Sequence, residues 1–199
     1  ISEKLLDDAG DSELWRHSRL RWLDSTIGQD DEVFATCPPI AIVDQSVSVF
    51  GRRVHYANDG LIESLQSSFG YSVDNIGTSP REILGRPMAL VVETAAGPLS
   101  WVANKARVVS QSSGAVTWES TWRANGFTLQ CLANMECDGY IHYRLTLRSA
   151  QPTQLKDVRL EVPLRREVAV YMMGLGRKGG RRPAQWTWDS NASANMLWI

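Results

Sequence analysis

The sequence predicts an all-β fold: an antiparallel β-sandwich of roughly ten to twelve short strands after a short irregular or helical N-terminal flank. Three observations carry this prediction. Apolar and polar residues alternate along short segments, as in strands that bury one face. Asn-Gly and Asp-Gly pairs, which suit tight hairpins, separate several segments. No helical pattern lies between them, so the strands must pair mostly antiparallel, and their one-sided apolar faces imply two packed sheets.

Two regions are expected, a flank over residues 1–36 and a sandwich over residues 37–199. In the flank, Asp11-Ser12-Glu13 precedes irregularly spaced apolar residues up to Leu23. This pattern is compatible with a capped short helix or with irregular structure. The polar run 24–32 and then Pro38-Pro39 end regular structure before the first strand.

The predicted strands of the first half are short and follow one another closely. The Asn58-Asp59-Gly60 turn joins two of them, and residues 70–80 are predicted to form a loop. These strands cover residues 40–43, 46–50, 52–56, 61–69, 88–94 and 107–111.

The second half shows the clearest alternation. Asn125-Gly126 and Asp138-Gly139 are predicted hairpin turns. The predicted strands cover residues 115–123, 127–137, 140–149, 155–164, 167–173 and 185–189. Two strands have an apolar face that predicts part of the core, made of Val116, Trp118, Ser120 and Trp122 in one and of Ile141, Tyr143, Leu145 and Leu147 in the other.

Composition and charge exclude several classes of protein. The chain has 199 residues, with 21 Lys and Arg against 22 Asp and Glu, for a net charge of -1. A nucleic-acid-binding protein would usually show a basic excess, so no nucleic-acid partner is expected. The apolar stretches are too short for a transmembrane helix, so no membrane partner is expected either.

No catalytic residues, metal site or cofactor are predicted. The three cysteines and three histidines lack metal-ligand spacing, and no G-x-S-x-G occurs. Gly174 to Gly179 matches G-x-G-x-x-G, but Arg181-Arg182-Pro183 follows in place of the helix that a dinucleotide site needs. It is therefore interpreted as a glycine-rich loop between strands. The acidic run 30–32 and the pair Glu161 and Glu167 are interpreted as solvated or salt-bridged acids.

Tryptophan is abundant, with eight residues in the chain. Trp186 and Trp188 lie beside the glycine-rich loop, which also carries Arg181, and these three residues are the candidate substrate-binding residues. Indole rings stack on the apolar faces of sugars, and glycines with cations could cradle an anion. With Trp101, the same tryptophans could form an aromatic platform.

The ends of the chain suggest a piece of a longer polypeptide. It begins at Ile1 with no charged and apolar leader, and it ends on the apolar run 195–199. An exposed apolar tail finds nothing to bury it. We therefore expect further sequence on both sides.

Several motifs resemble proteins related to glycoside hydrolase family 123, at the segment that opens their N-terminal domain and beyond it. Together they span the chain from about Ser18 to Ile199. They are the run Ser18 to Val33 with its WLDSTIG, the step Gly51 to Val54, the turn Asp59-Gly60-Leu61, the run Asp157 to Leu164, and the run Tyr171 to Gly176 continuing through Gly179-Gly180 to Pro183.

The resemblance implies a β-sandwich followed by a (β/α)8 barrel that removes terminal β-linked N-acetylgalactosamine. In that family an adjacent Asp-Glu pair in the barrel is catalytic, with the substrate acetamido group as nucleophile. Asp31-Glu32 lies in the flank and does not take these roles. No strand–helix alternation is visible, so the resemblance implies an accessory domain of a secreted or periplasmic bacterial glycoside hydrolase, located outside the cytoplasm.

The expected partner is the downstream catalytic barrel of the same polypeptide, contacted through the loop from Gly174 to Pro183. A glycan is a further expected partner. The alternative is a stand-alone carbohydrate-binding module that uses exposed tryptophans, and a third hypothesis is a purely structural interaction domain. Exposed indole rings would favour the binding module, and buried rings would favour the structural role.

Overall fold

The computed structural model describes residues 30–33, 35–70, 72–174 and 178–186. Within these ranges the chain forms thirteen strands and no helix. Accordingly, no described helix could cross a membrane. The strands are β1 (Ala41–Val43), β2 (Ser46–Val49), β3 (Arg52–Tyr56), β4 (Ile62–Phe69), β5 (Ile76–Glu82), β6 (Ala89–Thr94), β7 (Gly97–Pro98), β8 (Val102–Ala103), β9 (Arg107–Gln111), β10 (Ala115–Ala124), β11 (Phe127–Glu136), β12 (Ile141–Ser149) and β13 (Leu155–Glu161).

The strands form three antiparallel sheets. The first sheet has the order β1-β2-β3-β4-β5, and the third is the small sheet β13-β6-β7. In the second sheet β12, β11 and β10 are neighbours, and β8 and β9 both pair with β10. The predicted all-β, antiparallel, sandwich-like fold is confirmed. The strand number is higher than predicted partly because β7 and β8 have only two residues each.

The first and second sheets share one hydrophobic core. Val47, Val54 and Tyr56 of the first sheet belong to the same buried cluster as Trp118 and Leu129 of the second. The rings of Tyr56 and Trp118 stack across the interface, with centroids 4.7 Å apart. Side chains from the inner faces of two packed sheets interdigitate in this way in β-sandwiches.

The strand β10 shows how the sequence pattern produces this core. Val116, Trp118, Ser120 and Trp122 are buried, while Glu119 between them is half-buried on the other face. The predicted face is therefore confirmed. β10 pairs with β11 without a shift, from Ala115↔Glu136 to Ala124↔Phe127. The hairpin turn has φ of 36° at Asn125 and 83° at Gly126, a geometry that Asn-Gly adopts at low cost.

The prediction of a loop over residues 70–80 is wrong from Ile76 onward, where β5 begins, whereas residues 72–75 lie outside any strand. β5 is an edge strand that is exposed along nearly its whole length and contains Pro80. Such a strand is held by hydrogen bonds between backbones. Because neither of its faces packs against the core, its sequence shows no alternation of apolar and polar residues. At its end, Glu82 accepts hydrogen bonds from the Ser64 hydroxyl at 2.5 Å and the Leu65 amide at 2.9 Å.

The prediction of a strand over residues 167–173 is also wrong. The amides of Val168 and Ala169 both donate to the Arg165 carbonyl, at 3.0 Å each, so the chain turns here. Tyr171 forms only an isolated bridge with Arg181. Local turn hydrogen bonds outweigh the β-propensity of this apolar segment. The sequence also predicts a strand over residues 185–189. Residues 185 and 186 are described and do not lie in a strand, and residues 187–189 lie outside the described residues. Residues 1–29 of the predicted flank lie outside the described residues as well.

Glu82 leads to a testable prediction about pH. Burial alone would raise the pKa of Glu82, but hydrogen bonds from Ser64 and from the amides of Leu65 and Leu84 together hold that pKa below its ordinary value of 4.5. The ionised form is thus favoured by folding, and its stabilisation is present above pH 4.5 and lost as the pH falls through the lowered pKa. We expect Glu82→Gln to lower the free energy of unfolding at neutral pH by about 1–2 kcal/mol.

Urea unfolding between neutral and acidic pH measures this effect. The difference between the original chain and Glu82→Gln should shrink as the pH falls below 4.5. Glu136→Gln, at an exposed position in β11, is the control and should change little. A difference that stays constant over this pH range would contradict the role of the Glu82 carboxylate.

Candidate functional site

Exposed apolar side chains are concentrated in one stretch of the chain, residues 158–173, which we call the apolar segment. Seven of the fifteen exposed large hydrophobic residues in the described part lie here. Isolated exposed apolar residues are normal, so the grouping of seven of them within sixteen positions makes this segment a candidate interaction surface. Its members are Val158, Leu160, Val162, Leu164, Val168, Tyr171 and Met173, and their exposure ranges from 37% at Val168 to 80% at Met173.

The first part of the apolar segment follows from the position of β13 at the edge of the third sheet. Val158 pairs with Val92 and Leu160 pairs with Leu90, so these side chains share one face. Val92 is fully buried in the middle of the sheet, whereas Val158 and Leu160 remain 49% and 40% exposed at the edge. The apolar face of the third sheet is therefore covered at its centre by the rest of the domain and left partly exposed at the edge formed by β13.

The opposite face of β13 is fixed by ion pairs. Arg159 contacts Glu93 at 2.7 Å, Asp157 at 2.5 Å and Glu161 at 2.9 Å, and Arg86 contacts Glu161 at 2.7 Å. Hydrogen bonds from Arg86 and then Arg159 hold the pKa of Glu161 below its ordinary value. Because these charged residues bind one another on this face, the apolar side chains Val158 and Leu160 lie on the other face of β13, which they share with Val92.

The second part of the apolar segment lies on an irregular hairpin, residues 169–174 and 178–182, which we call the arm. The Met172 amide donates to the Gly180 carbonyl at 2.9 Å, and the Arg182 amide donates to the Val170 carbonyl at 3.0 Å. The Arg182 guanidinium also donates to the Ala169 carbonyl. The arm presents Tyr171 and Met173, which are 70% and 80% exposed.

The predicted substrate-binding residues lie on or next to the arm. Arg181 is exposed and is bridged to Tyr171. Trp186 is half-buried just beyond the arm, and Trp188 lies outside the described residues. Arg181 and Tyr171 are thus brought together, while contact of these residues with a sugar stays a prediction.

The remaining described tryptophans belong to the interior. Trp118 and Trp122 are 0% and 2% exposed. Trp101 is half-buried and packs edge-on against Trp122, with centroids 5.8 Å apart. Its indole N–H is buried and has no hydrogen-bond partner in the part of the chain that the structure describes. The two fully buried rings are explained by packing, as expected from their place on the strand.

A polar turn is buried between the two large sheets. The Gly60 carbonyl accepts from the Trp118 indole at 2.8 Å and from the Tyr143 hydroxyl at 3.3 Å. The preceding Asp59 carbonyl accepts from the Trp122 indole at 2.7 Å and from the Ser120 hydroxyl. Two indoles and two hydroxyls therefore satisfy two buried backbone carbonyls. This role in the fold accounts for Ser120, the buried polar residue of the core.

Burial raises the pKa of three ionisable side chains around this turn. Burial raises the pKa of the Cys131 thiol to about 12, so the thiolate that would act as a nucleophile is scarce at neutral pH. Burial also raises the pKa of the Tyr143 hydroxyl. Burial and, to a lesser extent, the charge of Glu63 raise the pKa of Asp59. The Leu61 amide donates to the Asp59 carboxyl at 2.9 Å, which closes the turn.

A polar cleft of about 490 Å³ that no sequence motif predicts lies beside the turn and is lined in part by His55, Asp59 and Glu63. The Ser46 hydroxyl lies 3.0 Å from His55 Nδ1, and His55 Nε2 lies 3.6 Å from the Glu63 carboxylate. The pairing of β2 with β3 places Ser46 opposite His55. A separation of 3.6 Å allows an ion pair when His55 is protonated, but it is too long for the hydrogen bond of a catalytic triad.

The other acidic candidates are placed as salt-bridged or solvated groups. Glu161 binds two arginines, Glu167 lies 3.7 Å from Arg165, and residues 30–32 are exposed. Among the described residues, no three His, Cys, Asp or Glu side chains gather as metal ligands. Cys37, Cys131 and Cys137 are free thiols.

Taken together, the packed sheets and the apolar segment define a β-sandwich domain with an uncovered apolar edge. A family model described as glycoside hydrolase 123, third domain, matches residues 40–199. The chain therefore belongs to glycoside hydrolase family 123. The matched region begins at Ile40, which is the first buried core residue among those that the structure describes.

The resemblance seen in the sequence is thereby confirmed at the level of the family. The matching description names a third domain, whereas the resemblance pointed to an N-terminal one, and the order of domains along the full polypeptide stays a prediction. No curated protein and no solved structure matches the chain.

Proposed function

We propose that this chain is a non-catalytic accessory domain of a bacterial glycoside hydrolase, which packs against a catalytic barrel that lies outside this chain. The observation that carries the proposal is the concentration of exposed apolar side chains over residues 158–173. In this proposal the barrel cleaves glycosidic bonds of N-acetylgalactosaminides, and the enzyme acts in the periplasm or outside the cell. A glycan contact at Trp186, Trp188 and Arg181 would be an addition to the docking role.

The chemistry of the apolar segment suits a domain interface. Tyr and Met are enriched in the buried centres of protein interfaces, and Tyr171 and Met173 are the most exposed members of this segment. Burying a fully exposed large apolar side chain contributes about 1.5–3 kcal/mol, so several half-exposed ones together can hold two domains. The exposed apolar side chains of β13 would form a second, flat contact with the barrel. A barrel covering both parts would remove the uncovered edge.

The carboxylates of the described chain support a non-catalytic role. A glycosidase of the usual type places two carboxyl groups on either side of the scissile bond, and raises the pKa of one of them. Glu161 and Glu82 are each held ionised by hydrogen bonds. Asp59 and Glu63 come nearest to such a pair, since both line the polar cleft and the pKa of Asp59 is raised by burial and by Glu63. The Asp59 carboxylate, however, accepts a hydrogen bond from the Leu61 amide and so has a role in closing the turn.

An activity assay tests the non-catalytic part of the proposal. We expect no turnover of aryl N-acetyl-β-hexosaminides by the purified chain, because its carboxylates lack the required arrangement. Asp59→Asn and Glu63→Gln serve as site variants. Turnover by the original chain that either substitution abolishes would overturn the accessory role and would identify the cleft as an active site.

A binding assay tests the docking part. The chain and the separately expressed catalytic remainder of its polypeptide should associate, as measured by calorimetry. We expect Tyr171→Ser with Met173→Ser to weaken association at least about tenfold, since both side chains lose apolar burial. Val102→Ser, 75% exposed on the second sheet, is the matched control and should leave the affinity unchanged. If Val102→Ser weakened association as much as the double substitution does, the contact would lie elsewhere. That result, or no association at all, would contradict the proposal.

A further inference from the structure

The outer face of the second sheet carries arginines in register across neighbouring strands. Arg123 of β10 pairs with Thr128 of β11, and Thr128 pairs with Arg148 of β12. Paired residues of an antiparallel sheet point to the same side, and strands lie about 4.8 Å apart, so the backbones of the two arginines are about 10 Å apart. Both arginines are exposed, and neither has an ion-pair partner in the described part of the chain.

A second row on this face also ends in arginines. Arg107 of β9 pairs with Glu119 of β10, followed by Leu132 and then Arg144 of β12. Arg107 contacts Glu119 at 2.6 Å and is thereby partly neutralised. Arg144 is exposed and lacks such a partner among the described residues.

A cavity of about 250 Å³ opens between the two rows. Its lining includes Thr121, Gln130 and Thr146, which form a third row across β10, β11 and β12, and also Arg144. Thr hydroxyls and a Gln amide both donate and accept hydrogen bonds, which is what a sugar hydroxyl requires. The cavity therefore combines neutral hydrogen-bonding groups with the Arg144 guanidinium and with the Glu119 carboxylate, whose charge is offset by its ion pair with Arg107. The flanking Arg123 and Arg148 add positive charge at one end.

The charge of this face differs from that of the chain. Outward positions of the second sheet carry four arginines, Arg107, Arg123, Arg144 and Arg148, against two glutamates, Glu119 and Glu136. The whole chain has a net charge of -1. Positive charge is thus gathered on one flat face, and such a face attracts anionic ligands.

We propose that the outer face of the second sheet binds an acidic oligosaccharide, one that bears carboxylate or sulfate groups. Arg123, Arg144 and Arg148 would pair with the acidic groups, because a guanidinium binds carboxylate and sulfate through two parallel hydrogen bonds. The cavity row would accept the hydroxyls of the sugar between them. This surface is separate from the apolar segment, so the domain can dock and bind at the same time.

A saccharide fits the face better than a nucleic acid does. Single-stranded nucleic acids are held largely by bases that stack on aromatic rings. The Phe, Tyr and Trp side chains of β10, β11 and β12 lie on the inner face, and the outward positions hold none of these residues. Glu119 and Glu136 would also repel a continuous phosphate backbone. The choice of a saccharide as the acidic ligand rests in addition on the proposed function.

Calorimetry on the purified chain at low ionic strength tests the inference, with a chondroitin sulfate hexasaccharide as the acidic probe. Maltohexaose is the neutral probe, and a single-stranded DNA oligonucleotide of matched charge is the third. We expect the acidic saccharide alone to bind, with an affinity that falls as salt is added. Arg144→Gln and Arg148→Gln should each weaken binding about 3–10-fold through loss of a charge-assisted contact. Arg53→Gln, exposed on β3 of the first sheet, is the matched control.

Each other outcome would overturn the inference. Tighter binding of the DNA would make the face a nucleic-acid surface, and equal binding of maltohexaose would remove the role of charge. Equal effects of Arg144→Gln and Arg53→Gln would place the site elsewhere, and absence of binding would refute it. None of these outcomes bears on the docking or turnover assays, so failure of this inference is distinguishable from failure of the proposed function.

Discussion

Replacing Trp118 by alanine is expected to lower the free energy of unfolding by about 4–5 kcal/mol, which for a domain of ordinary stability leaves much of the chain unfolded. Trp118 is fully buried and stacks on Tyr56 at 4.7 Å, so the two large sheets would lose their central contact. The substitution also removes the indole N–H that donates to the Gly60 carbonyl at 2.8 Å. Urea unfolding followed by circular dichroism measures the loss.

Trp118→Phe separates the two contributions. Phenylalanine retains an aromatic ring against Tyr56 but cannot donate to Gly60, whose carbonyl keeps the Tyr143 hydroxyl at 3.3 Å. We expect this variant to cost about 1–3 kcal/mol, the range for a lost hydrogen bond and a smaller ring. If the alanine variant cost no more than the phenylalanine variant, packing between the sheets would not be the main contribution of Trp118.

Gly60→Ala is expected to cost about 2–4 kcal/mol. Gly60 has φ of 86°, where a residue with a Cβ is strained by about 1–2 kcal/mol. The added Cβ would also lie 3.1 Å from the Ser120 hydroxyl oxygen and 3.3 Å from the Cys131 sulfur. Both neighbours belong to the buried inner face of the second sheet, and crowding of a packed core costs a further amount of similar size.

Gly126→Ala is the matched control for this substitution. Gly126 has φ of 83°, but a Cβ there would meet nothing within 4 Å. It should therefore show only the backbone strain, about 1–2 kcal/mol. Denaturation of both variants by urea gives the comparison. Equal losses would show that the space around the buried turn accommodates a methyl group.

Much of the fold was predictable because strand period and turn chemistry are local. The buried face of β10, with Trp118 and Trp122, follows from alternation alone. The Asn125-Gly126 hairpin follows from the positive φ angles that these residues tolerate. Likewise, the motifs that resemble the family lie within short stretches of sequence, and the family match over residues 40–199 confirms the family, although the run Ser18 to Val33 lies outside the matched region.

The errors came from segments whose conformation is decided by specific hydrogen bonds and not by apolar alternation. β5 is an exposed edge strand whose end is held by hydrogen bonds from Ser64 and Leu65 to Glu82, so it carries no apolar alternation. Residues 167–173 have the apolar character of a strand, but the local turn on the Arg165 carbonyl and a single bridge to Arg181 decide their conformation. Neither hydrogen-bond donors on another strand nor a missing partner strand can be inferred from local pattern.

For the two candidate surfaces, likewise, the residues can be identified from the sequence, but their arrangement depends on the tertiary structure. The apolar residues of β13 can be identified from the sequence, but their exposure depends on β13 lying at the edge of the third sheet while Val92 lies inside it. The arginines on the second sheet are far apart in sequence and meet only through strand register.

The amino-acid sequence alone determined the all-β class, the antiparallel pairing and the inward face of the central strands, since each depends on periodicities of two residues and on turn residues. The tertiary structure decided which face remained uncovered, which carbonyls the indoles of Trp118 and Trp122 satisfy, and which charges lie side by side. Those properties depend on contacts between residues some sixty positions apart, as between Gly60 and Trp118, and chain closure over such distances leaves no local trace in the sequence.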